Sequence, residues 1–207
     1  MKPNKSSGGT MINGIVRMTL FLCLIFPVSA VAGIPLDTVK GDVDKVLDVL
    51  RDPALKAESA KKVKKDKIRG ISEKMFDFTE LSKRTLAQNW NKFNPEQQKE
   101  FTELYTSVLE DAYANKIMAY TDEKIDFSKE VPLTGNTVEV QSTVLRKNGD
   151  IPIYYRVIMK DGSWRVYDVV IEGVSLVNNY RAQFREILAN KPPESLLETL
   201  RKKVGKV

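Results

Sequence analysis

The sequence predicts an α+β domain, with helices packed on a mainly antiparallel sheet of about four strands. Three observations predict it. Apolar residues recur every three to four positions over most of 34–120 and again after 175, the period of a helix with one buried face. Between 125 and 172 the period falls to two, as in strands. Within that stretch Asn148-Gly149 and Asp161-Gly162 separate apolar runs, and these dipeptides favour two-residue hairpin turns. Helices, then hairpin-linked strands, then helices make one α+β domain.

The chain has 207 residues, and 1–32 reads as a cleaved export signal. Lys2, Lys5 and Arg17 are basic, 18–28 is a short apolar run, and Ala30-Val31-Ala32 places small residues before a cut at Gly33. The run is about half the ~20 residues a membrane span needs. Either Met1 or Met11 could start translation. Cys23 is the only cysteine and follows Phe21-Leu22, not the small residues of a lipoprotein signal. The mature part, 33–207, is read as a single domain without Cys or His, which suits a bacterial periplasm. It keeps 30 basic and 27 acidic residues, a mild excess that does not argue for nucleic acid.

The helices come first. Val39, Val43, Val46, Leu47 and Leu50 make an i, i+3, i+4 series that Arg51-Asp52-Pro53 ends. The run 61–69 holds six basic residues and one acid. It reads as a solvated helix face, or as a patch for anionic lipid or an acidic partner. The region 75–90 is helical, with Phe76, Phe78, Leu81, Leu86 and Trp90 apolar and Asp77 or Thr79 as N-cap. The helix over 94–120 is the centrepiece. Asn94-Pro95-Glu96-Gln97 starts it, and Phe101, Leu104, Tyr105, Val108, Leu109, Tyr113, Ile117 and Tyr120 give it one wide apolar face.

Strands are predicted over 125–131, 137–147, 151–160 and 163–172. Two-residue turns would pair Lys147 with Asp150 and Lys160 with Ser163. One sheet face then carries Val138, Met159 and Trp164; Val140, Val157 and Val166; Ser142, Tyr155 and Asp168; and Val144, Ile153 and Val170. Asp168 is the odd residue, expected to bond the Tyr155 hydroxyl or to pair with Arg181. After Gly173, Ser175 caps a helix bearing Leu176, Tyr180, Phe184, Ile187 and Leu188, and 194–204 forms a last short helix.

Chemistry is sparse. Without His or Cys the commonest general base, metal ligand and thiol nucleophile are missing from 33–207, and no phosphate loop or EF-hand spacing occurs. The sequence therefore names no catalytic residue, metal or cofactor. Asp122, Glu123 and Asp126 could form a hydrolase's carboxylate pair but read better as solvated charges at a helix end.

The segment Trp164-Arg165-Val166-Tyr167-Asp168-Val169-Val170-Ile171-Glu172-Gly173-Val174-Ser175-Leu176, followed by Asn179-Tyr180-Arg181 and Phe184, resembles the MlaC or toluene-tolerance family of periplasmic phospholipid-binding ABC-transporter auxiliary components. Phe76-Asp77-Phe78, Trp90, Pro95-Glu96-Gln97-Gln98, Phe101 and the stretch from Tyr113 to Tyr120 follow the family's central pattern. The resemblance implies a cone of helices on a curved sheet, like the nuclear-transport-factor fold with extra helices. It implies a non-enzymatic periplasmic shuttle, monomeric in solution, that hides phospholipid tails in an apolar cavity with the headgroup at the mouth. It also implies partners: an outer-membrane lipoprotein complex and an inner-membrane ABC transporter with a lipid-binding ring. A related branch is associated with hopanoids, so another lipid is an alternative cargo.

The residues alone leave open whether helix and sheet touch or enclose a space; the resemblance favours a cavity. Inward positions of both layers are its expected lining: Phe78, Leu81, Trp90, Leu104, Tyr105, Val108, Tyr113, Val140, Tyr155, Val157 and Val166. The rival readings are a secreted hydrolase with a carboxylate pair in its pocket, and an adaptor module without a cavity.

Overall fold

A computed structural model describes residues 34–120 and 123–205. The expected export signal, with Cys23, and Asp122 lie outside these residues. Helix α1, Pro35–Arg51, buries Val39, Val43 and Leu47. Helix α2, Lys61–Met75, carries the basic run and buries only Met75 at its end. It stops because Phe76 turns extended and forms a parallel bridge to Val166 of the sheet.

That bridge divides the region read as one helix over 75–90. Asp77 accepts from the Glu80 N–H to cap α3, Phe78–Leu86. A 3₁₀ turn, Ala87–Lys92, follows through Ala87, whose φ of 49° breaks the helical path. Helix α4, Pro95–Met118, begins as expected: Asn94 and Gln97 cap each other's backbone N–H groups, and Pro95 needs no partner there.

The sheet is antiparallel throughout, in the order β1 (Lys124–Pro132), β2 (Thr137–Leu145), β3 (Ile151–Lys160), β4 (Ser163–Ile171) and a two-residue β5 (Val174–Ser175). Helices α5, Leu176–Leu188, and α6, Pro193–Lys203, complete the α+β fold. Ser175 caps α5 by accepting from the Asn178 N–H.

The expected register needs two corrections. The β2–β3 connection is not a two-residue turn: Val144 pairs with Ile151, leaving 145–150 outside the ladder. The Asp150 carboxylate accepts from the Arg146 N–H at 3.1 Å, and Gly149 donates to the Arg146 carbonyl. Closing the loop this way slides β3 by two residues, so Val140 faces Tyr155 rather than Val157. Because the side-chain period is two, the same residues keep the same face.

The second correction changes faces. Lys160 does pair with Ser163 across Asp161-Gly162, both at positive φ, and Val157 does pair with Val166. A bulge then leaves Tyr167 without an opposite residue, and Arg156 faces Asp168. Beyond it, Val169 and Ile171 occupy the apolar face, while Asp168 and Val170 turn to the other. Asp168 therefore neither bonds Tyr155 nor pairs with Arg181. It accepts from Arg156 (3.2 Å), from the Ser175 hydroxyl (2.6 Å) and from the Val177 N–H at the start of α5 (3.0 Å). Arg156 also reaches Glu139 at 3.1 Å, and Arg181 instead donates to the Arg84 carbonyl.

Two cores result. Helices α3–α6 enclose one, where Phe101, Tyr105, Tyr180 and Phe184 meet at ring distances of 5.1–5.6 Å over Leu196, Leu197 and Leu200. The other lies between α1 and the apolar sheet face, around Val39, Val43, Val140, Val157 and Val166. Phe76 touches both.

Candidate functional site: an apolar cavity

A cavity of about 770 Å³ opens beside the second core. Its roof is α1 (Val43, Val46, Leu47, Leu50) and α2 (Ile68, Ser72, Met75). One side is Phe76, Phe78 and Leu81 with the later part of α4: Leu109, Tyr113, Ala114 and Ile117. The floor is one end of the sheet, where β1 and β3 begin and β2 and β4 finish: Ile125, Val144, Ile151, Ile153, Tyr155, Val169 and Ile171.

Each wall follows from local sequence. The α1 stripe presents one apolar side to the sheet and, through Val46 and Leu50, to the space beside it. Tyr113 and Ile117 continue the α4 face that Phe101 and Tyr105 begin. Val169 and Ile171 line the cavity only because the bulge at Tyr167 turned them inward.

Burial pushes the Tyr155 phenol up to about 12, partly offset by Ser142, and burial also raises the Tyr113 phenol above its ordinary value. Charge is confined to half-buried or exposed positions at the mouth: Lys65, Arg69, Glu110, Lys116, Glu123, Arg146 and Glu172. Arg69 and Glu110 form a two-pronged pair at 2.6 and 3.0 Å, and the Glu110 carboxylate holds the Arg69 guanidinium above its usual value. Lys65 meets Asp111 at 3.3 Å. Arg51 of α1 donates to the Tyr120 hydroxyl at 2.8 Å, and the Leu36 N–H donates to Glu130 at 2.6 Å, so both ends of α1 are tied across the fold. Such a space suits a large apolar ligand with a polar end at the mouth.

The structure places Phe78, Leu81, Tyr113 and Tyr155 of the expected lining in the cavity wall. It places Leu104, Tyr105 and Val108 inside the helical core, with Trp90 packed against it. Val140, Val157 and Val166 sit in the core under α1. Sequence reasoning missed the α1 stripe and the strand ends. The α1 periodicity was visible, but nothing in it shows whether its partner is a filled core or a space. Of the acidic cluster, Glu123 lines the mouth and Asp126 is exposed on β1. No helix among the described residues is long and apolar enough to cross a membrane.

Comparison with known proteins gives consistent results. The chain is 26% identical over 181 residues to toluene tolerance protein ttg2D of Pseudomonas putida, covering 86% of this chain and 84% of that protein. It is 26% identical over 119 residues to the intermembrane phospholipid transport system binding protein MlaC of Haemophilus influenzae, covering 55% and 56% of the two. The crystal structure of a Ralstonia solanacearum phospholipid-binding protein, in complex with a phospholipid, superposes with a TM-score of 0.73. That match covers 84% of this chain and 98% of the other at 23% identity, a likeness of fold. The family model described as MlaC protein matches residues 40–202, and the chain belongs to that family.

Proposed function

We propose that the protein is a periplasmic lipid carrier that encloses phospholipid acyl chains in this cavity, leaves the headgroup at the charged mouth, and moves the lipid between membrane complexes. The observation that carries the reading is the apolar space itself. Moving one sixteen-carbon tail from water into a dry enclosure is worth on the order of 12 kcal/mol, at ~0.8 kcal/mol per CH₂. A carrier that lifts a lipid out of a bilayer must offset a loss of that size. The walls from α1, α2, α4 and the sheet line a volume within the usual range for ligand sites with mostly apolar side chains, open at the charged mouth. The phospholipid held by the Ralstonia protein of the same fold supports the choice of cargo.

Residues 1–32 would be removed on export, leaving 33–207 as the carrier domain. Its partners would be an outer-membrane lipoprotein complex and an inner-membrane ABC transporter with a lipid-binding ring, and the traffic would maintain outer-membrane lipid asymmetry. The exposed cations of α2 are the docking candidate. Within the run 61–69, Lys61 pairs with Glu58, Lys65 with Asp111 and Arg69 with Glu110, which leaves exposed Lys62 and Lys67 and half-buried Lys64 without an ion-pair partner among the described residues. Reversing those three charges should slow lipid transfer to a membrane complex and leave bound lipid in place.

The direct test is native mass spectrometry of protein purified from periplasm without detergent, beside an organic extract. A mass excess matching co-extracted phospholipid is the expected result. An excess matching a hopanoid would move the cargo to another lipid class. A bare polypeptide, still bare after incubation with liposomes, would overturn the carrier reading.

A further inference from the structure

The mouth of the cavity holds charges that the fold does not use. Arg146 follows the end of β2; its backbone N–H donates to Asp150, its carbonyl accepts from Gly149, and its guanidinium has no ion-pair partner among the described residues. Lys116, near the end of α4, lies 5.3 Å from the Tyr113 ring centroid and has no ion-pair partner among the described residues. Glu172 follows β4. It is exposed, lines the cavity and likewise has no ion-pair partner among the described residues. The other charges here are matched: Lys65 with Asp111 and Arg69 with Glu110, while Glu123 is itself engaged.

The register places Arg146 and Glu172 on either side of the start of β3. Val144 pairs with Ile151, Ile171 pairs with Ile153, and the Glu172 N–H donates to the Pro152 carbonyl at 3.0 Å. Two strand spacings separate β2 from β4, roughly 10 Å, which two long side chains can close over one small polar group.

Glu172 also sits where its backbone does not favour it. It and Gly173 form the two-residue turn between the Ile171 and Val174 pair, with φ of 50° and 81°. Such a turn prefers Asn or Asp ahead of Gly. A long carboxylate kept at a left-handed position, beside an apolar cavity and unpaired, points to a role outside the fold.

We propose that this mouth reads the headgroup: Arg146 and Lys116 take the phosphodiester, and Glu172 takes a primary ammonium. An aminophospholipid is then bound in preference to a phospholipid without an amine. The inference rests on the carrier reading and adds to it a substrate class. Two cations with one anion complement a phosphate with one ammonium, and the carboxylate is the group that discriminates, since every phospholipid has the phosphate.

The test loads delipidated protein from vesicles of equimolar phosphatidylethanolamine and phosphatidylglycerol with matched acyl chains, and measures the ratio of the two lipids extracted. The wild type should be enriched at least threefold in the ethanolamine lipid over the vesicles. Glu172→Asn should bring the ratio back to that of the vesicles while its thermal midpoint stays level or rises, because Asn-Gly suits the turn. Glu172→Asp suits the same turn, keeps the carboxylate and should keep the enrichment. A wild type that loads both lipids at the vesicle ratio, or a Glu172→Asn protein as selective as wild type, overturns the proposal while the carrier reading stands. A wild type that takes up neither lipid overturns both.

Discussion

The two halves of α4 carry the same kind of side chain and lie in different surroundings. Phe101 and Tyr105 are fully buried against α5 and α6, whose Tyr180, Phe184, Leu196 and Leu197 fill the space opposite them. Two turns further on, Tyr113 is half-buried and Ile117 is 38% exposed, and across from them lies a cavity. An apolar helical face states only that something apolar must cover it. Whether the cover is protein or a guest depends on which other elements of the chain reach it. Here α5 and α6 arrive over the first half, and the roof of α1 and α2 stands away from the second.

The sharpest way to break this comparison is truncation. Phe101→Ala should cost about 3–5 kcal/mol, as for a large side chain lost from a filled core, while Ile117→Ala should cost under ~1 kcal/mol. Urea unfolding midpoints check both, and equal losses would mean that the two halves are packed alike. Next in size is the reverse change. Ile153→Trp fills the cavity and should at least halve the lipid carried, with little change in melting temperature. Val157→Trp enters a site with 0% exposure and should lose about 1–3 kcal/mol of stability to overpacking. Lipid extraction beside thermal melts separates the two outcomes.

The smallest effect lies at the junction of the regions, where Asp77 caps α3 and meets Lys160 at 2.7 Å. Burial pushes the Asp77 carboxyl up, but the Lys160 ammonium and the Glu80 N–H together bring it below its ordinary value. A depressed native value means stability that is present above the ordinary value of 3.8 and lost as pH falls through the lower native one. Asp77→Asn should therefore cost under ~1 kcal/mol near neutral pH, Lys160 being half-exposed. The gap in melting temperature between it and the wild type should narrow below about pH 4. A gap constant from pH 6 to pH 3 would mean that the charge contributes nothing.

Much of the fold was legible because its signals are local. Asn94-Pro95 and Gln97 set the start of α4, Ser175 that of α5, and Asp161-Gly162 the β3–β4 turn. The bulge was less visible. Val169, Val170 and Ile171 are all apolar, so either alternation reads as a buried strand. The one available hint was Asp168 itself, which a shift by one residue takes off the apolar face and sets beside Arg156. The candidate lining was legible only in part: buried Leu81 and Tyr155 and half-buried Phe78 and Tyr113 lie in the wall, while the deepest positions, Tyr105, Val140 and Val157, are filled core. A cavity is a volume that side chains fail to fill, and no periodicity encodes where filling stops.

The bulge at Tyr167 behaves like a frameshift in a message read two letters at a time. Upstream of it, Trp164 and Val166 are read inward; downstream, the reading resumes one letter later, with Val169 and Ile171 inward and Asp168 outward. Straightening the strand there with every residue kept would restore the upstream frame and turn a carboxylate and its partner contacts toward the oily side, whereas loss of Tyr167 itself would keep both faces as they are. The loop 145–150 can gain or lose residues in pairs and keep its faces, but β4 has no such freedom. Elsewhere in β4 a single-residue insertion or deletion, harmless in most surface segments, should be excluded wherever the cavity must stay dry.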